Sequence, residues 1–218
     1  MKMKLLVAAA ATVVASSAMA QSAFEGFYGQ LGIGYESVSA GFPSGTMTSG
    51  GSAGSSYTIS SSNANSFVGT VGIGGYFPVT NTFMLGAGAE YSPLAGSSKN
   101  YTFTIPAANY SDTGSFKKKS SYNIFLSPAI AIDKDKLAYA KVGFTGMSIQ
   151  NTNADGTSNN TETGYSLGLG YKQMIAGSIY AFGEVNYAAY SGTSLGGGAS
   201  GSTKPNLMNA LVGVGYKF

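Results

Sequence analysis

The chain of 218 residues contains no cysteine, no histidine, no tryptophan and, since all 12 of its basic residues are lysine, no arginine. Without cysteine there can be no disulfide and no thiolate metal site. Without histidine the commonest general base and the commonest metal ligand are both missing. A serine or aspartate nucleophile partnered by histidine therefore cannot be assembled. Charge is scarce as well: Asp, Glu and Lys make up 10% of the residues, against roughly 25% in ordinary soluble domains. Beyond Lys2 and Lys4 the chain carries ten lysines and nine carboxylates, a net charge of +1. That balance excludes the basic footprint of a nucleic-acid-binding protein.

Long apolar runs are confined to one place. Met1–Ala20 has Lys2 and Lys4, an apolar run from Leu5 to Ala15, and Ala18-Met19-Ala20 before Gln21. This is the layout of a cleaved secretory signal, leaving residues 21–218 as one exported domain. No later segment approaches the ~20 consecutive apolar residues of a membrane helix.

What the sequence does have is glycine (32 residues), tyrosine (15) and phenylalanine (12), arranged with a period of two. Leu207–Phe218 reads LMNALVGVGYKF, with Met208, Ala210, Val212, Val214, Tyr216 and Phe218 on one face. Alternation of this kind makes one side of an extended strand greasy and the other not. Segments near 25–37, 65–77, 82–92, 121–133, 137–148, 164–173, 178–189 and 207–218 share the pattern. Their length suits a tilted membrane-spanning strand. Short connections (Pro78–Asn81, Asp133–Lys136, Met174–Gly177) alternate with long ones (Ser39–Asn63, Pro93–Ser120, Ile149–Thr163, Tyr190–Pro205). The reading is an all-β, eight-stranded antiparallel up-and-down transmembrane β-barrel with long loops at one end and short turns at the other.

The faces point the same way. Tyr35, Phe67, Tyr91, Tyr122, Phe144, Tyr165 and Tyr187 fall near the long loops, and Phe27, Phe77, Phe83, Tyr171, Tyr216 and Phe218 near the short turns. Between them the same face carries aliphatic residues such as Leu31, Ile73, Leu126, Leu169 and Val212. Two aromatic girdles around an aliphatic band fit a lipid-facing surface. A soluble β-sandwich would explain the alternation but not this sorting. The opposite face mixes glycine with Tyr28, Gln30, Tyr76, Tyr139, Tyr180 and Lys217, and with Glu36, Glu90, Lys141, Lys172 and Glu184. An eight-stranded barrel is only wide enough to be filled by its own side chains, so those five charges are expected to form a network in the lumen. Glu184 is expected to pair with Lys172 or Lys141, with Tyr180 and Tyr139 donating nearby. The long loops, rich in Gly, Ser, Asn and Thr, are expected to be mobile.

Motifs for chemistry are thin. Ser115-Phe-Lys-Lys118 spells S-x-x-K in a polar loop, without the buried setting that depresses a lysine pKa. Gly196–Gly201 spells G-x-G-x-x-G without the strand and helix that fingerprint needs. Asp133-Lys-Asp-Lys136 reads as a solvated turn rather than a cation site. Lys117, Lys118 and Lys119 form the only charge run and are positioned to meet lipopolysaccharide phosphates, or else to be a solvated loop end. No cofactor, metal or catalytic residue is indicated.

The last strand also resembles the C-terminal assembly signal of bacterial outer-membrane β-barrels, carried by Gly213, Tyr216 and Phe218. Taken whole, the chain resembles the small eight-stranded barrels of the OmpX/OmpA-transmembrane-domain type, often grouped as porin-family proteins. The resemblance implies a non-enzymatic, monomeric outer-membrane protein inserted by the barrel-assembly machinery. Its partners would be outer-membrane lipid and lipopolysaccharide, with an extracellular or host surface ligand open. The implied role is envelope structure, adhesion or surface interaction. A narrow porin-like diffusion channel and an exported soluble ligand-binding barrel are the rivals.

Overall fold

Dyad alternation becomes a closed wall in the computed structural model, which describes residues 22–154 and 156–218; the signal segment Met1–Ala20 lies outside them. Among the described residues there are eleven strands and one 3-10 turn, Pro106–Ala108. The strands are β1 (Gly26–Ser39), β2 (Gly45–Thr46), β3 (Ser56–Ser61), β4 (Ala64–Pro78), β5 (Phe83–Ser92), β6 (Lys99–Ile105), β7 (Tyr110–Asp133), β8 (Lys136–Asn153), β9 (Gly156–Ala176), β10 (Ile179–Tyr190) and β11 (Asn206–Lys217). Eight of them form a ring in the order β1, β4, β5, β7, β8, β9, β10, β11, every neighbouring pair antiparallel. The first and last strands close it, from Tyr28 opposite Lys217 to Ser39 opposite Asn206. Closure leaves the ring no free edge, the condition for a sheet to cross hydrocarbon.

Alternation sorts the side chains as the sequence pattern requires. Phe67 (81% exposed), Ile33 (70%) and Leu169 (64%) stand on the outside, while Tyr76, Tyr180 and Leu137 are at 1% or less on the inside. The exposed girdle and band residues include Tyr35, Tyr91, Phe144, Tyr165, Tyr216 and Phe218. A soluble protein leaving this surface bare would aggregate, so its solvent is lipid.

The inner face is built on cross-strand pairs of tyrosine with glycine. Tyr28 lies opposite Gly74, Tyr76 opposite Gly86, Tyr139 opposite Gly170 and Tyr180 opposite Gly215. At each pair the ring lies over the glycine: a Cβ on Gly74 or Gly86 would come within 2.6 Å of tyrosine side-chain atoms. The absent side chain is the space the ring occupies. Eight strands thus accommodate four inward tyrosines near the short-turn end.

The long connections differ from the expectation. Ile149–Thr163 is no loop: β8 and β9 stay paired out to Asn153 opposite Gly156. Cross-strand side chains bond there too, Thr152 to Thr157 at 3.1 Å and Gln150 to Asn159 at 3.2 Å. Ser39–Asn63 contains β2 and β3, and Pro93–Ser120 contains β6 and the first part of β7. A hairpin ladder satisfies its own backbone, and threonine favours a pleated surface, so polar composition does not prevent strands. These extensions also bury apolar groups: Phe116, Met147, Ile149, Val38 and Leu207 form one cluster, and Met47, Tyr57 and Ile105 a second.

Candidate functional site

The lumen is filled in layers along the barrel. At the short-turn mouth the chain entering β1 crosses the opening. Ala23 N–H donates to the Lys134 carbonyl in the β7–β8 turn (2.8 Å), across the ring from β1. Phe24, 3% exposed, then packs edge-on to Tyr180 with ring centroids 5.8 Å apart.

Above it, the Lys172 ammonium is held without a carboxylate. Its Nζ lies 3.5 Å from the Tyr28 ring centre, and 4.7, 5.2 and 5.4 Å from those of Tyr180, Tyr76 and Tyr139. It donates to Gln30 Oε1 at 3.0 Å, and the Tyr180 hydroxyl donates to the same oxygen at 3.1 Å. Faces of aromatic rings carry partial negative charge, so four tyrosines replace the missing anion.

Next comes the acidic centre. Lys141 Nζ donates to both oxygens of Glu90 at 2.8 Å and to Glu184 Oε1 at 2.9 Å. Tyr139 donates to Glu184 Oε2 at 2.7 Å and Asn186 to its Oε1 at 3.0 Å. Two carboxylates on one buried ammonium would be costly in isolation, and the added donors offset that cost. A small chamber of about 50 Å³ follows, with Thr70, Asn123, Thr145, Ser166 and Asn186 beside Val68, Ala188, Leu207 and Leu211 in its lining.

The third charge pair touches the chamber wall at Ser92. Lys118 Nζ donates to Glu36 Oε2 at 2.5 Å and to Ser92 Oγ at 3.3 Å, and Ser66 donates to Glu36 Oε1 at 3.3 Å. Above it sits the apolar layer of Val38, Phe116, Met147, Ile149, Ala188 and Leu207. Among the described residues no buried side-chain N or O atom lacks a hydrogen-bond partner.

The five charges lie inside the barrel in two groups rather than one network. Glu90, Lys141 and Glu184 meet, and Gln30 ties the caged Lys172 to them, its oxygen accepting from the ammonium and its amide donating to Glu90 Oε1 at 3.2 Å; Glu36 pairs with Lys118. That pairing corrects the reading of Lys117, Lys118 and Lys119 as one outward run. β7 shifts register against β8 between Lys118 and Ser120, and a bulge reverses which residues face inward. Lys118 is 1% exposed inside the barrel, while Lys119 is exposed and Lys117 half-buried. The bulge also breaks the S-x-x-K motif, because Lys118 is committed to Glu36. Asp133 and Lys136 pair across a solvated turn at 2.8 Å. The Lys136 ammonium, with the backbone N–H of Asp135, holds the Asp133 carboxyl below its usual range. Of the three residues expected to form an assembly signal, Gly213 faces inward beneath the Phe182 ring, and Tyr216 and Phe218 face outward, their rings edge-on with centroids 5.5 Å apart.

Several known structures are similar to this chain. Neisserial surface protein A superposes with a TM-score of 0.53 at 13% identity, covering 89% of this chain and 98% of that one. OprG of Pseudomonas aeruginosa gives 0.49 at 14% identity over 92% and 99%. The attachment invasion locus protein Ail of Yersinia pestis gives 0.44 at 13% identity over 89% and 99%. No curated protein sequence matches the chain. A family model does, over residues 6–218, and its description is outer membrane protein beta-barrel domain. With nearly the whole sequence matched and the ring of eight strands closed, the chain belongs to that family and is a bacterial outer-membrane β-barrel.

Proposed function

We propose that this protein is a closed, non-enzymatic surface barrel that serves envelope structure or surface interaction through its long-loop end. The observation that supports it best is the stack of filled layers: Phe24, the tyrosine-caged Lys172, the Lys141 pair of carboxylates, the Glu36–Lys118 pair and the apolar layer at Phe116. A lumen occupied by its own side chains at five levels has no continuous aqueous path. What protrudes is a paired, polar surface suited to contact with other molecules.

In this reading the long-loop end faces the cell exterior and the short turns face the periplasm. Met1–Ala20 is removed on export. Lys117 and Lys119 remain on the outer side of β7 to meet lipopolysaccharide phosphates. Gly213, Tyr216 and Phe218 are read by the barrel-assembly machinery, and the mature protein acts as a monomer. The test is electrical. Purified protein in planar bilayers should give no steady single-channel current, whereas large, sustained openings would move the narrow diffusion channel to first place.

A further inference from the structure

A second cavity, of about 230 Å³, lies beyond the apolar layer, between the extensions of β6–β9 and the two connections at Ala40–Phe42 and Thr193–Pro205. One wall is aromatic: Phe42 lies 4.8 Å from Tyr101 and 5.9 Å from Phe116, centroid to centroid. Glu162 also lines the cavity and is 8% exposed. Its Oε1 accepts a hydrogen bond from the Thr193 hydroxyl at 2.6 Å.

Among the described residues every ion pair lies elsewhere: Lys118 with Glu36, Lys141 with Glu90 and Glu184, and two turn pairs at Lys134 and Lys136. Glu162 thus has a hydroxyl donor but no ammonium. A buried carboxylate without a counter-ion is expensive, and this one faces a space with aromatic walls. The lumen of the same protein shows the complementary arrangement, where an ammonium sits against tyrosine faces and donates to two side-chain oxygens, of Gln30 and Tyr180.

We propose that this cavity binds a small organic cation, with its ammonium on Glu162 and its apolar body against Phe42 and Tyr101. The size fits: a cavity of roughly 150 Å³ holds benzene, so about 230 Å³ accepts an aryl or short alkyl group carrying an ammonium. The Glu162 carboxylate selects against an anion and favours an ammonium over a neutral head group, while the ring wall takes the apolar body. This site does not depend on whether the lumen conducts.

The test uses the folded full-length mature barrel in detergent micelles, with phenethylammonium and neutral 2-phenylethanol as probes, followed by calorimetry and by chemical shifts of Phe42 and Tyr101. The cation is expected to bind at least tenfold more tightly than the alcohol. Glu162→Gln keeps an oxygen for Thr193 and should abolish that preference while leaving the alcohol unchanged. Phe42→Ala should weaken both probes, and the faster migration of unboiled protein on a gel checks that each variant is folded. Equal affinity of the two probes, or a preference that survives Glu162→Gln, would overturn the assignment. So would the absence of shifts at Phe42 and Tyr101 with wild-type protein.

Discussion

Lys118 and Glu36 are 82 residues apart in sequence and meet at 2.5 Å inside the barrel, both at 1% exposure. Their strands, β7 and β1, are separated in the ring by β5 and β4, so the pair spans the lumen rather than running along the wall. It joins two sides of the barrel just below the apolar layer. Removing one partner leaves the other charge buried and alone, which costs about 3–5 kcal/mol. Lys118→Met should therefore lower urea stability in micelles by that order. Lys118→Met combined with Glu36→Gln should recover much of the loss. Lys119→Met, one residue away but outside, should change little. Equal effects at Lys118 and Lys119 would show that the bulge is misplaced.

That pair also marks the limit of what the sequence reveals. The eight ring strands and their lipid face were legible, because period-two alternation survives in every segment and lipid tolerates few exceptions. Lys118 was not: counting back from outward Tyr122 by twos places it outside, and no residue type announces a bulge at Lys119. Face assignment put Lys141, Lys172 and Glu184 indoors, but height along the barrel depends on register. Register places Tyr139 and Glu184 both opposite Gly170, which brings Glu184 to Lys141 and leaves Lys172 nearer the tyrosines. Glu162 was hidden for a different reason. Its segment is polar and reads as loop, and only the continued β8–β9 ladder shows that alternate residues there still face inward.

The tyrosine–glycine pairs predict a steric response that polarity alone would not. A Cβ on Gly170 would fall 2.3 Å from the Tyr139 ring, whereas one on Gly196 meets nothing within 4 Å. Gly170→Ala should destabilise by about 1–3 kcal/mol through overpacking. Gly196→Ala should be close to neutral. Adding Tyr139→Ala to Gly170→Ala removes the clash but also a donor to Glu184 and one face of the Lys172 cage, so rescue should be partial. Denaturant midpoints of the three variants separate these outcomes.

The outer face answers to charge instead. Leu126 and Val212 are 54% and 62% exposed on the aliphatic band. Lysine placed there must leave its ammonium in hydrocarbon or distort the bilayer around it, at about 2–4 kcal/mol near the midplane. Leu126→Lys and Val212→Lys should both lower the folded fraction in lipid vesicles. Leu126→Ile should not. An unchanged folding titration for both lysine variants would mean that this face is not in lipid.

Phe218 separates folding from biogenesis. Its backbone N–H donates to the Phe27 carbonyl at 2.9 Å, a bond that any residue at this position keeps. The residue is 76% exposed, with its ring edge-on to Tyr216 and lying over Gly29, which has no side chain to bury it. Phe218→Ala therefore removes almost no buried contact, and the refolded protein should lose less than about 1 kcal/mol by area alone. An exposed ring that contributes little to the finished barrel is nevertheless available to be read while the barrel is forming. In cells, Phe218→Ala should lower the amount of folded protein in the outer membrane several-fold, with the remainder degraded or held in the periplasm. The paired measurement is decisive: urea midpoint of refolded protein on one side, heat-modifiable band in purified outer membranes on the other. A large loss of in vitro stability would make Phe218 a structural residue of the β1–β11 seam. Wild-type levels of the mutant in the membrane would remove the recognition role from Gly213, Tyr216 and Phe218 together.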